Sequence, residues 1–493
     1  MATPALVFNA LSIVMAAFQY GHHIGELNSP QEVISTCNHV PPGTDPDGSL
    51  PLCIPMSSSQ WSVLVATLSV GGFLGSLFVG ARLADSYGRR KALLLNNVFL
   101  LLGSFIMSTA SSFGGLLLGR LLIGVGCGVA TVVVPMYIAE ISPAELRGTL
   151  GVMNQLGIVV GILFSQVLGL FFSTPTGWRV ILLAGTGLSA LQMFLLPLCV
   201  ESPRYLILQP GGSTEAKHAL QILRGRQDVA KEMRDWTRQD DRTVAAEEEG
   251  HAEPTDALLS QVHGQDSQPA NAVYAFEEKG KRITVMEFVA KPRYRQPLIV
   301  LFLVQLSQQL SGINGVVFYS TSIMSRIMPS SGAMITVYIS IVNTFMTLFA
   351  AYMMDRAGRR ALLLASSSAM GVSSFLLATS LNYSIPILSA FSIISFVATF
   401  AIGLGPIPFL IIPEVVETAA VASASAFALT VNWTTNFIVS VMFLKLQEWW
   451  GGNVFYLFAV ILAALTVAIH RIIPETRGKT PEEVARAWHT VQH

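Results

Sequence analysis

The sequence predicts an all-α polytopic membrane protein with twelve transmembrane helices, arranged as two six-helix bundles around a hydrophilic middle loop. Three observations carry that prediction. The 493 residues are 52% hydrophobic and only 12% charged, about half the charge density of a soluble domain. Between a few charge clusters lie apolar runs of about 20 residues, long enough to cross a roughly 30 Å hydrocarbon core as helices. The third observation is an internal repeat: "ADSYGRRKALLL" after the second run has a partner, "MDRAGRRALLLA", after the eighth. Gly88 and Gly358 lie 270 residues apart, Glu140 and Glu414 lie 274 apart, and so do Glu201 and Glu475. Three pairs at nearly one offset imply two halves of the same orientation, residues 1–200 and 291–493, with 201–290 as the link.

In chain order, spans are expected at 4–24, 59–80, 93–111, 113–135, 149–172 and 179–199. The second set is expected at 295–327, 332–354, 361–380, 385–411, 422–444 and 455–473. No basic region or small-residue cleavage site marks the first run as a removable signal, so it reads as a signal anchor. The polar loop after it holds Cys37 and Cys53, which pair if that loop lies outside the cytosol. Cys127 and Cys199 fall in apolar runs and read as packing residues.

Loops 2–3, 4–5 and 8–9 carry Arg89, Arg90, Lys91, Arg147, Arg356, Arg359 and Arg360, and the tail adds Arg471, Arg477 and Lys479. Alternate loops hold few basic residues, such as Arg326 and Lys445. The positive-inside rule then places both termini and the middle loop in the cytosol. The Asn382-Tyr-Ser384 sequon falls on the other side. Within 201–290, "SPRYLILQ" and "TEAKHALQILRG" predict short amphipathic helices, while the polar centre predicts disorder. The segment reads as a linker between bundles.

The chemistry-bearing residues are mostly neutral. A formal net charge of zero gives no sign of a nucleic-acid partner. No nucleophile–base constellation, phosphate loop or metal-ligand spacing appears, which argues against an enzyme, a metal or a cofactor. Gln305, Gln308 and Gln309 lie close to one face of the seventh span, with Asn314 just beyond. Amides can glue helices together in lipid, but four within ten residues point to a ligand site. Gly403, Gly405, Pro406 and Pro408 interrupt span 10, because each proline removes a backbone hydrogen bond. The first span ends on "FQYGHHIGELNSPQ", which puts His22, His23 and Glu26 beside a bilayer.

These motifs, with "GRLLIGVGCGVATVVVPMYIAEISPAELRG", "NQLGIVVGI", "QLSQQLSGIN", "GPIP" and "NWTTNFIV", resemble the sugar porter family of the major facilitator superfamily, and within it the facilitative glucose transporters. The resemblance covers nearly the whole chain outside the two large loops. It implies the major facilitator fold: two bundles rocking around a central monosaccharide site that opens alternately to each side. A hexose presents hydroxyls around a partly apolar ring, which calls for neutral donor–acceptor groups and an aromatic face. Carried over by resemblance, the sugar contacts are Gln155, Gln308, Gln309, Asn314, Asn343 and Asn432. Phe409 stands where many members have a tryptophan, keeping the stacking face without the indole N–H. Ala401 stands where some relatives have a glutamate. Gln305-Leu306-Ser307 matches the pattern linked in the family with glucose over fructose. Gly405 and Pro406 are expected to bend as a gate, and Tyr319 to close the outer side.

The charged motifs read as a cytosolic latch, in which Arg89, Arg90, Glu140, Arg147 and Glu201 face Asp355, Arg359, Arg360, Glu414 and Glu475 across the bundle boundary. Such pairs would hold the inner ends together when the carrier faces outward. Val421 replaces a frequent family arginine, so the second half's latch is expected to be the weaker. The position that separates proton symporters (aspartate) from uniporters (asparagine) is His23 here, and its family partner is Arg120. A nearby guanidinium favours a neutral imidazole, which leaves facilitative uniport as the leading mode. Proton–sugar symport is the alternative, with Glu26 as the remaining carboxylate, although it reads as solvated at the helix end. A transporter-like nutrient sensor is the third reading, disfavoured by a tail of only about twenty residues past the last span. The plasma membrane is the expected location, with an endomembrane as the alternative.

Overall fold

The structure, a computed structural model, describes residues 3–37, 50–143, 146–207, 211–233, 284–325, 331–416 and 420–477, with isolated positions beyond them. The predicted disordered centre of the linker lies outside the described residues, as do the side chains of Arg147 and Asp355. The described residues form helices and no strand. The membrane helices are α1 (Pro4–Gly25), α2 (Ser58–Tyr87), α3 (Arg89–Ser108), α4 (Phe113–Ile141), α5 (Arg147–Phe172) and α6 (Trp178–Leu198). The second set is α7 (Pro292–Ser325), α8 (Gly332–Ala357), α9 (Arg359–Asn382), α10 (Pro386–Leu410), α11 (Val421–Trp450) and α12 (Val454–Ile472). The last two form one apolar stretch of 52 residues, divided only by the turn at Gly451–Asn453.

Several helices outrun their apolar runs. α2 continues past the predicted end at 80 to Tyr87, α4 past 135 to Ile141, and α11 past 444 to Trp450. Hydropathy marks where lipid contact ends, whereas backbone hydrogen bonding continues until something stops it. For α2 the stop is Gly88 at φ +89°, and for α8 it is Gly358 at φ +85°. Both take a backbone conformation that favours glycine.

In the first half α1 packs on α4, α5 and α6, α2 on α4, and α3 on α4 and α6. In the second, α9 packs on α10 and α12, α8 on α10, and α7 on α11 and α12. The halves meet along two seams, α2 with α11 and α5 with α8. Exchanging the halves turns one seam into the other, as the repeat in the sequence requires. Lipid supplies no hydrophobic drive for helix association, so close backbone contact must serve. At the α2–α4 crossing a side chain added at Gly71, Gly75, Gly124 or Gly128 would strike the partner helix's backbone.

The linker flanks are helical at Pro203–Ile207 and Ser213–Arg224. Arg224 ties the second of these to α4 by donating 2.8 Å to the Ile141 carbonyl, and it also grips Glu232. The Val285–Ala290 helix, opened by a Thr284–Glu287 capping box, sets Phe288 against Tyr294 and Phe427. Cys37 and Cys53 are joined by a disulfide with their Cα atoms 5.4 Å apart. Cys127 and Cys199 are free and buried.

Candidate functional site

Two broken helices build the centre. α7 breaks at Ser311–Gly312, where Gly312 has φ +85° and the Phe458 ring fills the space a side chain would need. α10 stops at Ile402 and resumes at Ile407. There the Ser366 hydroxyl on α9 accepts from the Leu404 N–H at 3.1 Å and donates to the Thr399 carbonyl at 2.7 Å, which splints the break. The break exposes carbonyls that an intact helix would use itself. Gln308 Nε2 donates to Leu404 O at 3.0 Å and Gly405 O at 2.8 Å, and Gln305 Nε2 donates to Pro408 O at 2.9 Å. The glycine–proline motif of α10 and the glutamines of α7 are therefore one construction.

Asn432 of α11 is the hub. Its Nδ2 donates to Gln305 Oε1 and Gln308 Oε1, both at 2.7 Å, and its Oδ1 accepts from Gln309 Nε2 at 3.1 Å. Asn314 Nδ2 donates to Gln309 Oε1. Four of the predicted amides thus converge, with Gln305 as a fifth member serving as a brace. Asn343 is buried on α8 and Gln155 half-buried on α5; neither side chain has a hydrogen-bond partner among the described residues. Phe409 is partly buried against the core. Sequence reading passed over Tyr20, whose ring lies 5.8 Å from that of buried Trp433 and so links α1 to α11. Tyr319 stacks on Phe443 at 5.5 Å.

The α1 terminus corrects an expectation. Glu26 is not solvated: it is 1% exposed, and His22, His23 and Arg120 are fully buried around it. Glu26 Oε1 lies 2.7 Å from Arg120 Nη1, and Glu26 Oε2 lies 3.0 Å from His23 Nδ1 and 3.5 Å from His22 Nε2. Arg120 reaches the backbone carbonyl of His23 at 2.7 Å, while the His23 ring turns to Glu26. Helical spacing allowed Glu26 to meet either histidine. Burial could not be read from one chain segment, because it is imposed by α4, α5 and α6.

The described latch residues make the following contacts. Each set closes within its own half. The Arg89 and Arg90 backbone N–H groups donate to Glu201 at 2.8 and 3.1 Å, and Arg89 Nη2 pairs with Glu140 at 2.8 Å. In the second half the N–H groups of Arg359 and Arg360 donate to Glu475 at 2.9 and 3.2 Å, and Arg359 Nη2 pairs with Glu414 at 2.9 Å. The reason is local: the glycine turn ends one helix and starts the next, and its first free N–H groups bind a carboxylate. The Arg89–Glu140 side chains are 9% and 14% exposed, against 18% and 22% for Arg359–Glu414, so solvent screens the second pair more. Glu201→Ala should unpair three backbone donors, those of Arg89, Arg90 and Ser202, and cost about 1–3 kcal/mol, read as a lower Tm of the purified protein. An unchanged Tm would count against this clamp.

Polar contact across the bundle boundary occurs at the opposite end. Asn28 Nδ2 donates to Ser320 Oγ at 2.8 Å, and Asn28 Oδ1 accepts from the Thr321 N–H at 3.3 Å.

Twelve helices in two repeated sets, enclosing neutral amides at paired helix breaks, define a multi-pass membrane carrier. The chain belongs to the sugar transporter family. The profile described as "Sugar (and other) transporter" matches residues 9–265 and 247–488. The chain is 36% identical to facilitated glucose transporter member 3 of solute carrier family 2 from Oryctolagus cuniculus, covering 99% of this chain and 93% of that one. It is 33% identical to a probable metabolite transport protein of Saccharomyces cerevisiae, covering 97% and 94%. Among solved structures it is similar to the partially occluded inward-open xylose transporter XylE of E. coli. That match has a TM-score of 0.72 and 22% identity, covering 97% of this chain and 100% of that one.

Proposed function

We propose that this chain carries hexoses, with glucose the expected substrate, by alternating access between bundles formed by residues 1–200 and 291–493. The observation that carries the reading is the amide cluster on the α7 and α10 breaks. It gathers several neutral donors and acceptors in the second half, and these can exchange partners with sugar hydroxyls without stranding a charge. Gln155 and Asn343, which lie on the helices of the α5–α8 seam, are assigned the same task. Gly405 and Pro406 supply a bend, and Tyr319 sits close to the Asn28 contact. With both termini cytosolic, Asn28–Ser320 closes the outer end and the arginine motifs edge the inner one. The membrane itself is taken to be the plasma membrane.

The name of the glucose-transporter relative describes facilitated transport, which supports uniport. The burial of Glu26 against Arg120 is the specific observation favouring a second mode, with a proton as co-substrate. Counterflow of labelled glucose into proteoliposomes tests the main reading. A Gln308→Ala, Asn314→Ala double variant should lose most of that counterflow, at least about tenfold for each 1.4 kcal/mol of lost binding. Unchanged counterflow in the double variant would remove these residues from the site.

A further inference from the structure

We propose that Ser366 of α9 is a positioning residue for transport: it holds the α10 break in place when Gln308 lets go of that break to take sugar. This rests on the hexose-transport reading above, in which Gln308 is a sugar ligand. Gln308 has no spare hydrogen-bonding capacity. A carboxamide offers two N–H donors and an oxygen with two lone pairs. Gln308 Nε2 gives its donors to Leu404 O at 3.0 Å and Gly405 O at 2.8 Å, and Gln308 Oε1 accepts from Asn432 Nδ2 at 2.7 Å and Gln309 Nε2 at 3.3 Å. A sugar hydroxyl therefore reaches Gln308 only by displacing a bond already made. Asn432 and Gln309 sit in continuous helix, whereas Leu404 and Gly405 sit in the gap Gly403–Pro406. The bonds to the gap are the ones free to yield.

The gap cannot satisfy its own backbone. Pro406 and Pro408 have no N–H to give. The Gly403 and Gly405 N–H groups both turn back to the Phe400 carbonyl, at 3.3 and 2.9 Å, and the Ile407 N–H takes Gly403 O at 3.1 Å. A continuous helix would pair the Leu404 N–H with Phe400 O and the Gly403 N–H with Thr399 O. The turn of the two glycines leaves both of those partners vacant. One hydroxyl from α9 fills both places: Ser366 Oγ accepts from the Leu404 N–H at 3.1 Å and donates to Thr399 O at 2.7 Å. Ser366 is fully buried. A side chain added at Gly403 would strike the Ser366 Cβ and the Leu362 backbone, so α9 and α10 meet there at backbone distance.

Leu404 is thus held from two sides, its N–H by α9 and its C=O by α7. When sugar takes Gln308 Nε2, the α7 hold is lost. Ser366 then keeps the gap in register, while Gln305 holds the next turn through Pro408 O. Without the Ser366 hydroxyl, the same exchange strands both backbone polar groups of Leu404, a residue with no exposed surface. Stranding a buried polar group is unfavourable, so sugar would compete against a break that clings to Gln308. The hydroxyl of α9, which is not among the expected sugar ligands, thereby sets how readily sugar binds.

The test is equilibrium exchange of labelled glucose by the full-length protein in proteoliposomes, read as a half-saturation concentration and a maximal rate. Ser366→Ala should raise the half-saturation concentration about tenfold and leave the maximal rate within about twofold. Ser374→Ala is the control. It removes another fully buried α9 hydroxyl, one that donates to Phe455 O on α12 at 2.7 Å, and should leave half-saturation unchanged whatever it does to Tm. Ser366→Cys keeps the size of the side chain with a weaker donor and acceptor, should give an intermediate rise, and decides the matter if the alanine variant does not fold. An unchanged half-saturation in the Ser366 variant that folds, or an equal rise in Ser374→Ala, overturns the positioning role while leaving hexose transport standing. Absence of exchange in the wild type overturns the hexose reading, and the role of Ser366 with it.

Discussion

Arg120→Met is expected to destabilise the protein by about 3–5 kcal/mol. The substitution leaves Glu26 without its counter-ion in a site that is 1% exposed, with His23 its remaining hydrogen-bond partner among the described residues. The decisive comparison is with the Glu26→Met, Arg120→Met double variant. Removing both charges together should recover most or all of the loss, because the penalty comes from an unpaired charge rather than from a missing attraction. Thermal unfolding in detergent reads both. The argument fails if Arg120→Met matches the wild type, or if the double variant is no more stable than the single one.

Asn432→Ala is the second large effect. It removes the acceptor of Gln309 and the donor shared by Gln305 and Gln308. An unsatisfied buried polar atom costs about 1–3 kcal/mol, and the amides would re-pair in arrangements that no longer suit a sugar. We expect kcat/KM for glucose uptake to fall by about 100-fold or more, equivalent to roughly 2.7 kcal/mol. Ser440→Ala on the same helix serves as a control, since among the described residues its hydroxyl bonds within α11, to Asn436. A transport loss in Ser440→Ala as large as that in Asn432→Ala would indicate general damage to α11 rather than loss of a sugar contact.

Hydropathy and the repeat made twelve spans legible because lipid imposes a local rule. Every spanning segment must satisfy its backbone internally and present apolar side chains, so length and composition suffice. The ends were less legible. α2, α4 and α11 run on past their predicted ends, and positive-φ glycines at 88, 358 and 451 stop α2, α8 and α11. The amides of α7 could be singled out by type and spacing. Their common destination could not, since it depends on carbonyls released by a break about 100 residues later.

The charged groups divide along the same line. Sequence alone marked Arg89, Glu140 and Glu201 and their repeats as a set, because each recurs at nearly one offset. It could not tell whether the sets close on each other or on themselves. That depended on which free N–H groups the glycine turns present to Glu201 and Glu475. Glu26 is the clearest case. Its spacing from two histidines was written in α1, but its environment belongs to α4, α5 and α6, which shut water away and leave Arg120 as its counter-ion. Period and composition are properties of one segment, and they determined the helices and their repeat. Burial and pairing are properties of several segments at once, and only the packed structure decided them.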